Sequence, residues 1–375
     1  MKSIKRRVYD AYAAVATMLG GPPEQAKELR SGEGADVIQL TPSGSVRLEH
    51  RLVARFHGLP ESFSVLSWPE TSLYRLNDVR VVGDQGNVFL KDGRWLRVCP
   101  SLEVLAPSKI RRPMPIYSRQ IHSPAFHLTG RDHENHGHFL FQHLPRLLAC
   151  RDLPQLPKKL KLLVAQGHQR WQGRYIQKLG LGDTTDLIEC DEGTLYCDEL
   201  FYVPQIRSQS SPLCRPEYYI RMRECFHRPG PKTGLPVFIS RADAPDRQLL
   251  NETEAITSFE RAFGSCRVVC LSQTPLDEQI ELFSRAPLIA GSQGQAFAVS
   301  LFAKDSVFVI LEAGEHNPWC DSFRDVAIIC GNDALTLYSG TPRQTNESYT
   351  FPADKLERAW GQVKMLLQGQ AILNP

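Results

Sequence analysis

The chain has ten cysteines in 375 residues, yet no two of them form a Cys-x-x-Cys pair. Cys190 and Cys197, Cys266 and Cys270, and Cys320 and Cys330 lack zinc-ribbon spacing. The thiols are therefore expected to be reduced, as in a cytoplasmic protein. An excess of either charge is also missing, since 44 Lys plus Arg face 41 Asp plus Glu, a net of +3. No nucleic-acid partner is expected on that balance, and any anionic ligand must be held by local arginines. Several signatures are absent: Asp-x-Asp, Gly-Lys-Ser/Thr, Gly-x-Gly-x-x-Gly, His-Glu-x-x-His and Gly-x-Ser-x-Gly. These absences speak against a Walker loop, a dinucleotide fingerprint, a helical zinc site and a hydrolase elbow.

Long apolar runs are scarce as well. Ala11 to Leu19 is too short to span a bilayer, and Asp10, Tyr12 and Thr17 spoil it as a signal-peptide core. Ile4, Val8, Tyr12, Val15 and Leu19 fall at helical spacing, with Lys2, Lys5, Arg6 and Arg7 mostly on the other face. Residues 2–19 therefore read as a docked terminal helix or as a peripheral contact with an anionic membrane surface.

What is present has the balance of a globular protein, 42% hydrophobic and 23% charged. The chain divides into three textures. Residues 1–110 carry a β-meander (Val79 to Val82, Val88 to Leu90, Arg94 to Val98) with a hairpin signal at Asp92-Gly93. A proline-bearing connector, Ala106 to Pro124, follows. Residues 111–230 alternate helix and strand: helix His136 to Cys150, strand Lys161 to Ala165, helix Gln169 to Leu179, strands Asp186 to Glu189 and Leu200 to Val203, and helix Pro216 to His227. After the linker Arg228 to Gly234, residues 231–375 repeat the rhythm. Strands are expected at Val237 to Ser240, Arg267 to Cys270, Leu288 to Ala290 and Val307 to Leu311. Helices are expected at Asn251 to Phe263, capped by Asn251, at Pro275 to Arg285, at Gln295 to Ala303 and at Lys355 to Leu367. Such alternation predicts an α/β fold with parallel sheets covered by helices.

In an open α/β sheet, ligands bind beyond the carboxyl ends of the strands. Ser240-Arg241 follows the first strand of the last segment, with Arg247 six residues on. Guanidinium forks suit phosphate oxygens; the alternative is surface pairing with Asp243 and Asp246. Gly291-Ser292-Gln293-Gly294-Gln295 follows another strand and leads into a helix, as an anion-binding turn does, or simply a tight one. The cluster His133-Glu134-Asn135-His136-Gly137-His138 matches no common zinc spacing. His138 is a candidate base or acceptor-binding group, or else a packing residue.

Asn135-x-x-His138-Phe139 followed by Leu144-Pro145-Arg146-Leu147 resembles glycosyltransferase family 61, which includes bacterial capsular-polysaccharide proteins. So does an ordered series: Ser240-Arg241, Arg247, Asn251-Glu252, Leu276-x-x-Gln279-Ile280-x-Leu282-Phe283-x-x-Ala286, Gly291-x-x-Gly294, Leu301-Phe302 and Val309-Ile310-Leu311-Glu312. The resemblance covers roughly residues 75 to 315. It implies a GT-B fold, two Rossmann-like lobes facing a cleft, with a small N-terminal β-rich and helical extension. Residues 111–230 would be the acceptor lobe, and residues 231–375 the nucleotide-sugar lobe with a crossing helix. The implied activity is inverting, metal-independent sugar transfer to a glycan or glycolipid acceptor in surface-polysaccharide assembly. The donor is expected to be UDP-linked, with no cofactor, and the protein cytoplasmic or peripheral at the inner face of the membrane. Catalysis would fall to His138, with Glu134 in reserve, and acceptor binding to Asn135 and His136. Donor binding would fall to Ser240, Arg241, Arg247, Asn251, Gln279, Gly291, Ser292, Gln293, Gly294, Gln295 and Glu312. Two departures stand out: Gln293 replaces the family's histidine in Gly-x-His-Gly, and an expected asparagine is replaced near Val299. They motivate an alternative, a catalytically silent member that binds a nucleotide or glycan as a scaffold.

Overall fold

The computed structural model describes residues 25–26, 35–59, 61–68, 70–83, 86–96, 118–130, 132–167, 169–181, 185–191, 193–204, 214–316 and 321–373. The basic segment 2–19 and most of the proline-bearing connector lie outside them. In chain order the elements are β1 (Gln25–Ala26), β2 (Ala35–Thr41), β3 (Gly44–Glu49), α1 (Arg51–His57), β4 (Phe63–Trp68), β5 (Thr71–Val82), β6 (Asn87–Phe89), β7 (Trp95–Leu96), β8 (Ser118–Ile121) and β9 (Ala125–His127). A composite helix α2 follows (His136–His138, Phe139–His143, Leu144–Cys150), then β10 (Leu160–Ala165), α3 (Gln169–Lys178), β11 (Thr185–Cys190), β12 (Thr194–Tyr202) and α4 (Pro216–Phe226). The last stretch holds β13 (Val237–Ser240), α5 (Glu252–Phe263), β14 (Arg267–Cys270), α6 (Leu276–Arg285), β15 (Leu288–Ser292), a 3₁₀ turn (Gln295–Phe302), β16 (Val307–Glu312), α7 (Ser322–Ile329), β17 (Asp333–Tyr338) and α8 (Ala353–Leu373). Two compact units emerge, Met1–Gly44 with Ser67–Cys214, and Ser45–Leu66 with Arg215–Pro375.

The first unit is built on a sheet in the order β1-β7-β6-β5-β12-β9-β10-β11, with β2 on β5 and β8 on β12. It is mixed rather than wholly parallel: β2 with β5, β5 with β6 and β6 with β7 pair antiparallel, and β12 joins them to the parallel strands. One edge of β12 pairs antiparallel with β5, from Thr194↔Val82 to Tyr202↔Tyr74, while the other pairs parallel with β8 and β9. Through these two edges of β12 the meander and the α/β stretch share one sheet. Leu76, Val79, Val81, Leu163, Leu195 and Leu200 make its core.

Helix α2 is not a plain α-helix. Its middle, Phe139–His143, is π-helical, with the Leu144 N–H donating to Phe139 O. Pro145 supplies the cause, because it has no N–H to give Phe141 O four residues back. The Cys214 thiol donates to that carbonyl instead, at 3.6 Å. One turn later, Arg146 is fully buried. It donates to Thr129 O at 2.7 Å and Val203 O at 3.3 Å, and its Nη2 lies 2.8 Å from His143 Nδ1. A charge at 0% exposure is tolerable only with such bonds.

The second unit holds five parallel strands in the order β14-β13-β15-β16-β17. Every residue of β15 and β16 is buried, as strands covered on both faces require. Helices α5, α8 and α1 pack on one face, and α4, α6, α7 and the 3₁₀ turn on the other. Phe238, Phe259 and Trp360 stack through the first layer, with ring centroids 5.8 and 5.2 Å apart. The indole of Trp360 donates to Ser258 Oγ at 3.0 Å. Helix α1, from the N-terminal third of the chain, buries Leu52 in the same core. Among the described residues no helix is long and apolar enough to cross a membrane, and the eight described cysteines are free.

Candidate functional site

The strand order of the second unit fixes where a ligand can enter. From β13 the chain goes through α5 to β14 on one side, then through α6 across β13 to β15. The direction of winding therefore reverses between β13 and β15, and their carboxyl ends leave a crevice there. Arg241 follows β13 directly, and Ser292-Gln293-Gly294 closes β15. The two loops meet closely, for a Cβ on Gly294 would lie 2.1 Å from Arg241 Nη1. A side chain at 294 would have to displace the guanidinium.

Arg247 joins Arg241 at this rim. Its backbone is left-handed, φ 52°, a conformation that costs a non-glycine residue about 1 kcal/mol or more. Three bonds hold it there: the Arg247 N–H donates to Asn346 O at 2.9 Å, Ser292 Oγ donates to Arg247 O at 3.2 Å, and Arg247 Nη1 donates to Gln293 Oε1 at 3.4 Å. Tyr349 backs the loop, its hydroxyl donating to Leu311 O and lying 2.9 Å from Ser292 Oγ. The two cations share Asp246, whose Oδ1 is 3.3 Å from Arg241 Nη2 and 3.7 Å from Arg247 Nε. Glu347, which is exposed, sits 3.7 Å from Arg247 Nε. Both Nε groups are buried without a hydrogen-bond acceptor. Burial, and then the neighbouring Arg247, push the Arg241 pKa below its usual value. Two guanidinium groups thus stand together with one half-screened carboxylate between them. Such an arrangement can bind a multiply charged anion.

The expected pairing alternative is partly realised: Asp246 does pair with both arginines, whereas Asp243 accepts from Ser272 Oγ at 2.5 Å. Other expected donor residues do different work. Ser240 Oγ donates to Glu252 Oε2 at 2.6 Å, and the Arg241 N–H donates to Glu252 Oε1. Asn251 makes no side-chain cap on α5; it brackets Phe351 through both backbone groups, at 2.8 and 3.1 Å. Its partner lies a hundred residues on, and competes successfully with the local cap. Gln279 donates to Leu271 O and Thr274 O, bracing the turn after β14. A Cβ on Gly291 would strike Ile239 O at 2.5 Å, so this glycine serves the contact between β13 and β15. Gln295 opens a 3₁₀ turn rather than an α-helix. Glu312 lies one strand over. Its Oε1 takes Arg343 Nη2 at 2.9 Å and the Ala313 N–H at 2.7 Å, while its buried Oε2 has no partner.

In the first unit, Asn135 Oδ1 accepts the His138 N–H at 3.1 Å and so caps α2. His136 Nε2 lies 2.6 Å from the Tyr175 hydroxyl, and its ring leans on Trp171. Burial pushes the His136 pKa down to about 4, so it is neutral at pH 7. His138 is half-buried, with Nδ1 lacking a hydrogen-bond partner. Glu134 is exposed. His133 is taken up by Gly130 O at 2.6 Å. Among the described residues no three His, Cys, Asp or Glu side chains converge as metal ligands.

The sequence reading missed Tyr349 and Arg343 as partners. Both come from the segment after β17, and no local pattern announces them.

Residues 136–310, just under half of the chain, match the family model described as Glycosyltransferase 61. The match supports glycosyltransferase family 61 and indicates a glycosyltransferase. No curated protein matches the sequence. Among solved structures, a diflavin flavoprotein A3 from Nostoc sp. is similar at 13% identity, covering 38% of this chain and 98% of its own, with a TM-score of 0.27. The two-electron reduced flavodoxin of Megasphaera elsdenii is similar at 11% identity, covering 34% and 99%, with a TM-score of 0.25. Scores that low transfer neither architecture nor function.

Proposed function

We propose that this glycosyltransferase moves a sugar from a nucleotide-sugar donor, UDP-linked, onto a hydroxyl of a glycan or glycolipid, with inversion and without a metal ion. The reading is of the GT-B kind, with the donor in the second unit and the acceptor chemistry in the first. The supporting observation is the pair Arg241 and Arg247 at the β13–β15 crevice, against Gly294. Their charge suits the diphosphate that leaves, and a site already charged needs little reorganisation as the bond breaks. Glu312, with a free carboxylate oxygen beside the crevice, suits a donor hydroxyl. On the acceptor side, His138 or the reserve Glu134 would orient the incoming hydroxyl or take its proton, flanked by Asn135 and His136. We place the activity in surface-polysaccharide assembly, in the cytoplasm, with residues 2–19 resting on the inner membrane face. The resemblance of the motifs to bacterial capsular proteins supports that setting.

Calorimetric titration of UDP into wild type and Arg247→Ala tests the donor site. Loss of a charge-assisted contact should weaken binding by about 1.5–3 kcal/mol, and equal affinity would remove Arg247 from it. Transfer from a panel of sugar nucleotides should survive EDTA; if chelation abolishes turnover and manganese or magnesium restores it, the metal-independent reading fails.

A further inference from the structure

Beyond the end of β16 the second unit carries a side-chain pair that takes no part in the arginine crevice. His316 Nε2 lies 2.8 Å from Asp321 Oδ2, with the imidazole 64% exposed and the carboxylate 6%. The other carboxylate oxygen accepts the Tyr338 hydroxyl at 2.8 Å and lies 3.0 Å from Arg324 Nη1. Arg324 is tied in turn to Asp325 at 3.0 Å, and the imidazole packs edge-on against the Tyr338 ring, centroids 5.6 Å apart. The carboxylate is therefore held by the tyrosine and the arginine before the histidine reaches it. A carboxylate on Nε2 keeps the ring hydrogen there and leaves the lone pair on Nδ1. An exposed imidazole oriented by a buried carboxylate is the construction of an activated base.

Its place suits that use. Tyr338 ends β17 and His316 follows β16, so the pair stands on the same carboxyl edge as the crevice. About two strand spacings separate them, on the order of 10 Å. That is too far to touch a diphosphate in the crevice, and near enough to face the sugar it carries.

We propose that His316 is the general base of glycosyl transfer, with Asp321 as its positioning residue. The proposal rests on the transferase reading above and takes the proton-accepting role from His138 and Glu134. In the step, the acceptor oxygen bonds to the anomeric carbon as the bond from that carbon to the diphosphate oxygen breaks. The diphosphate leaves with that electron pair. The hydroxyl proton passes to Nδ1, and the imidazolium, held by Asp321, later releases it to water. Of the groups around the ring, Asp321 Oδ2 meets Nε2, Arg324 holds the other carboxylate oxygen, and Tyr338 donates to that oxygen and packs against the imidazole.

The test uses the full chain with a sugar nucleotide and acceptor that it turns over. His316→Gln changes an exposed side chain, so folding should survive. The expected result is a fall in kcat of about 10²–10⁴-fold, with donor KM within about threefold and the acidic limb of the kcat–pH profile lost. Added imidazole should restore part of the activity of His316→Ala, and His138→Gln should retain the acidic limb. A His316→Gln enzyme with kcat within about threefold of wild type, an effect confined to KM, or a surviving acidic limb overturns the proposal. A wild type that neither binds nor turns over any sugar nucleotide overturns the transferase reading, and this base with it. Turnover by wild type and His316→Gln alike overturns the base alone.

Discussion

Arg146 in the first unit and Arg241 in the second are both buried, at 0% and 8% exposure, yet their partners differ in kind. Arg146 meets backbone carbonyls of Thr129 and Val203, groups the fold places once and for all. Arg241 has one backbone carbonyl, Asp246 O at 3.1 Å, and otherwise stands against a glycine, a second arginine and the carboxylate of that aspartate, itself 47% exposed. A cation fixed by carbonyls in a sealed interior holds secondary structure together. One set beside a like charge at a strand end is held at some cost to stability, which a bound anion would offset. The resemblance that picked out both residues draws no such distinction; the partners do.

The largest effect should come from the first of them. Arg146→Leu leaves two carbonyls unmatched in the core and should destabilise the protein by about 3–5 kcal/mol in chemical denaturation. A loss under about 1 kcal/mol would mean that Arg146 is no brace, and the comparison would fail. Next in size is a pH effect in the same unit. Burial pushes the pKa of His127 down to about 3 and that of His136 to about 4. Above pH 6.5 both histidines are neutral folded or unfolded, so they do not alter stability. As the pH falls below 6.5 the unfolded chain takes up protons that the folded one refuses until about 4 and 3, so stability drops. Each histidine contributes a slope of about 1.4 kcal/mol per pH unit in that window. His136→Gln should flatten the curve by one such slope, and an unaltered curve would show that its imidazole titrates freely in the folded state. The smallest stability effect sharpens the contrast most. Arg247→Leu relieves repulsion at Arg241 and should leave stability within about 0.5 kcal/mol of wild type or raise it, while on the proposed function it should weaken UDP binding. A loss of several kcal/mol would make the arginine pair a structural feature like Arg146.

Much of the second unit was legible in the sequence. Val237 to Ser240 and Val307 to Leu311 read as strands because parallel strands covered on both faces leave continuous apolar runs, and Arg267 to Cys270, an edge strand with Val268 exposed, read as one as well. Arg241, Arg247 and the Gly291–Gly294 turn were legible for a related reason, since each follows a strand at the carboxyl edge of the sheet. The first unit was harder, because nothing local in Thr194–Tyr202 announces that its two edges take partners of opposite direction. The π segment of α2 was not foreseen, although Pro145 was there to suggest it. His138 and Glu134 could be named from their neighbours, but whether they are engaged depends on side chains far away. The His316–Asp321 pair escaped notice altogether; a histidine five residues from an aspartate in a loop carries no spacing rule, and its meaning comes from Tyr338 and Arg324.

The free thiols have a practical consequence. Cys150, Cys190, Cys197 and Cys214 are all buried in the first unit, whereas Cys225, Cys266 and Cys270 of the second are only half-buried and Cys330 is sealed. Burial pushes the pKa of Cys150 and Cys197 up to about 12, that of Cys330 likewise, and that of Cys266 to about 11. These groups react as thiolates, so in the folded state they are nearly inert at neutral pH. Alkylation followed by peptide mass analysis would then act as a built-in clock: each buried cysteine acquires its label only when the surrounding unit opens, so the untreated natural chain reports the breathing of its two halves separately.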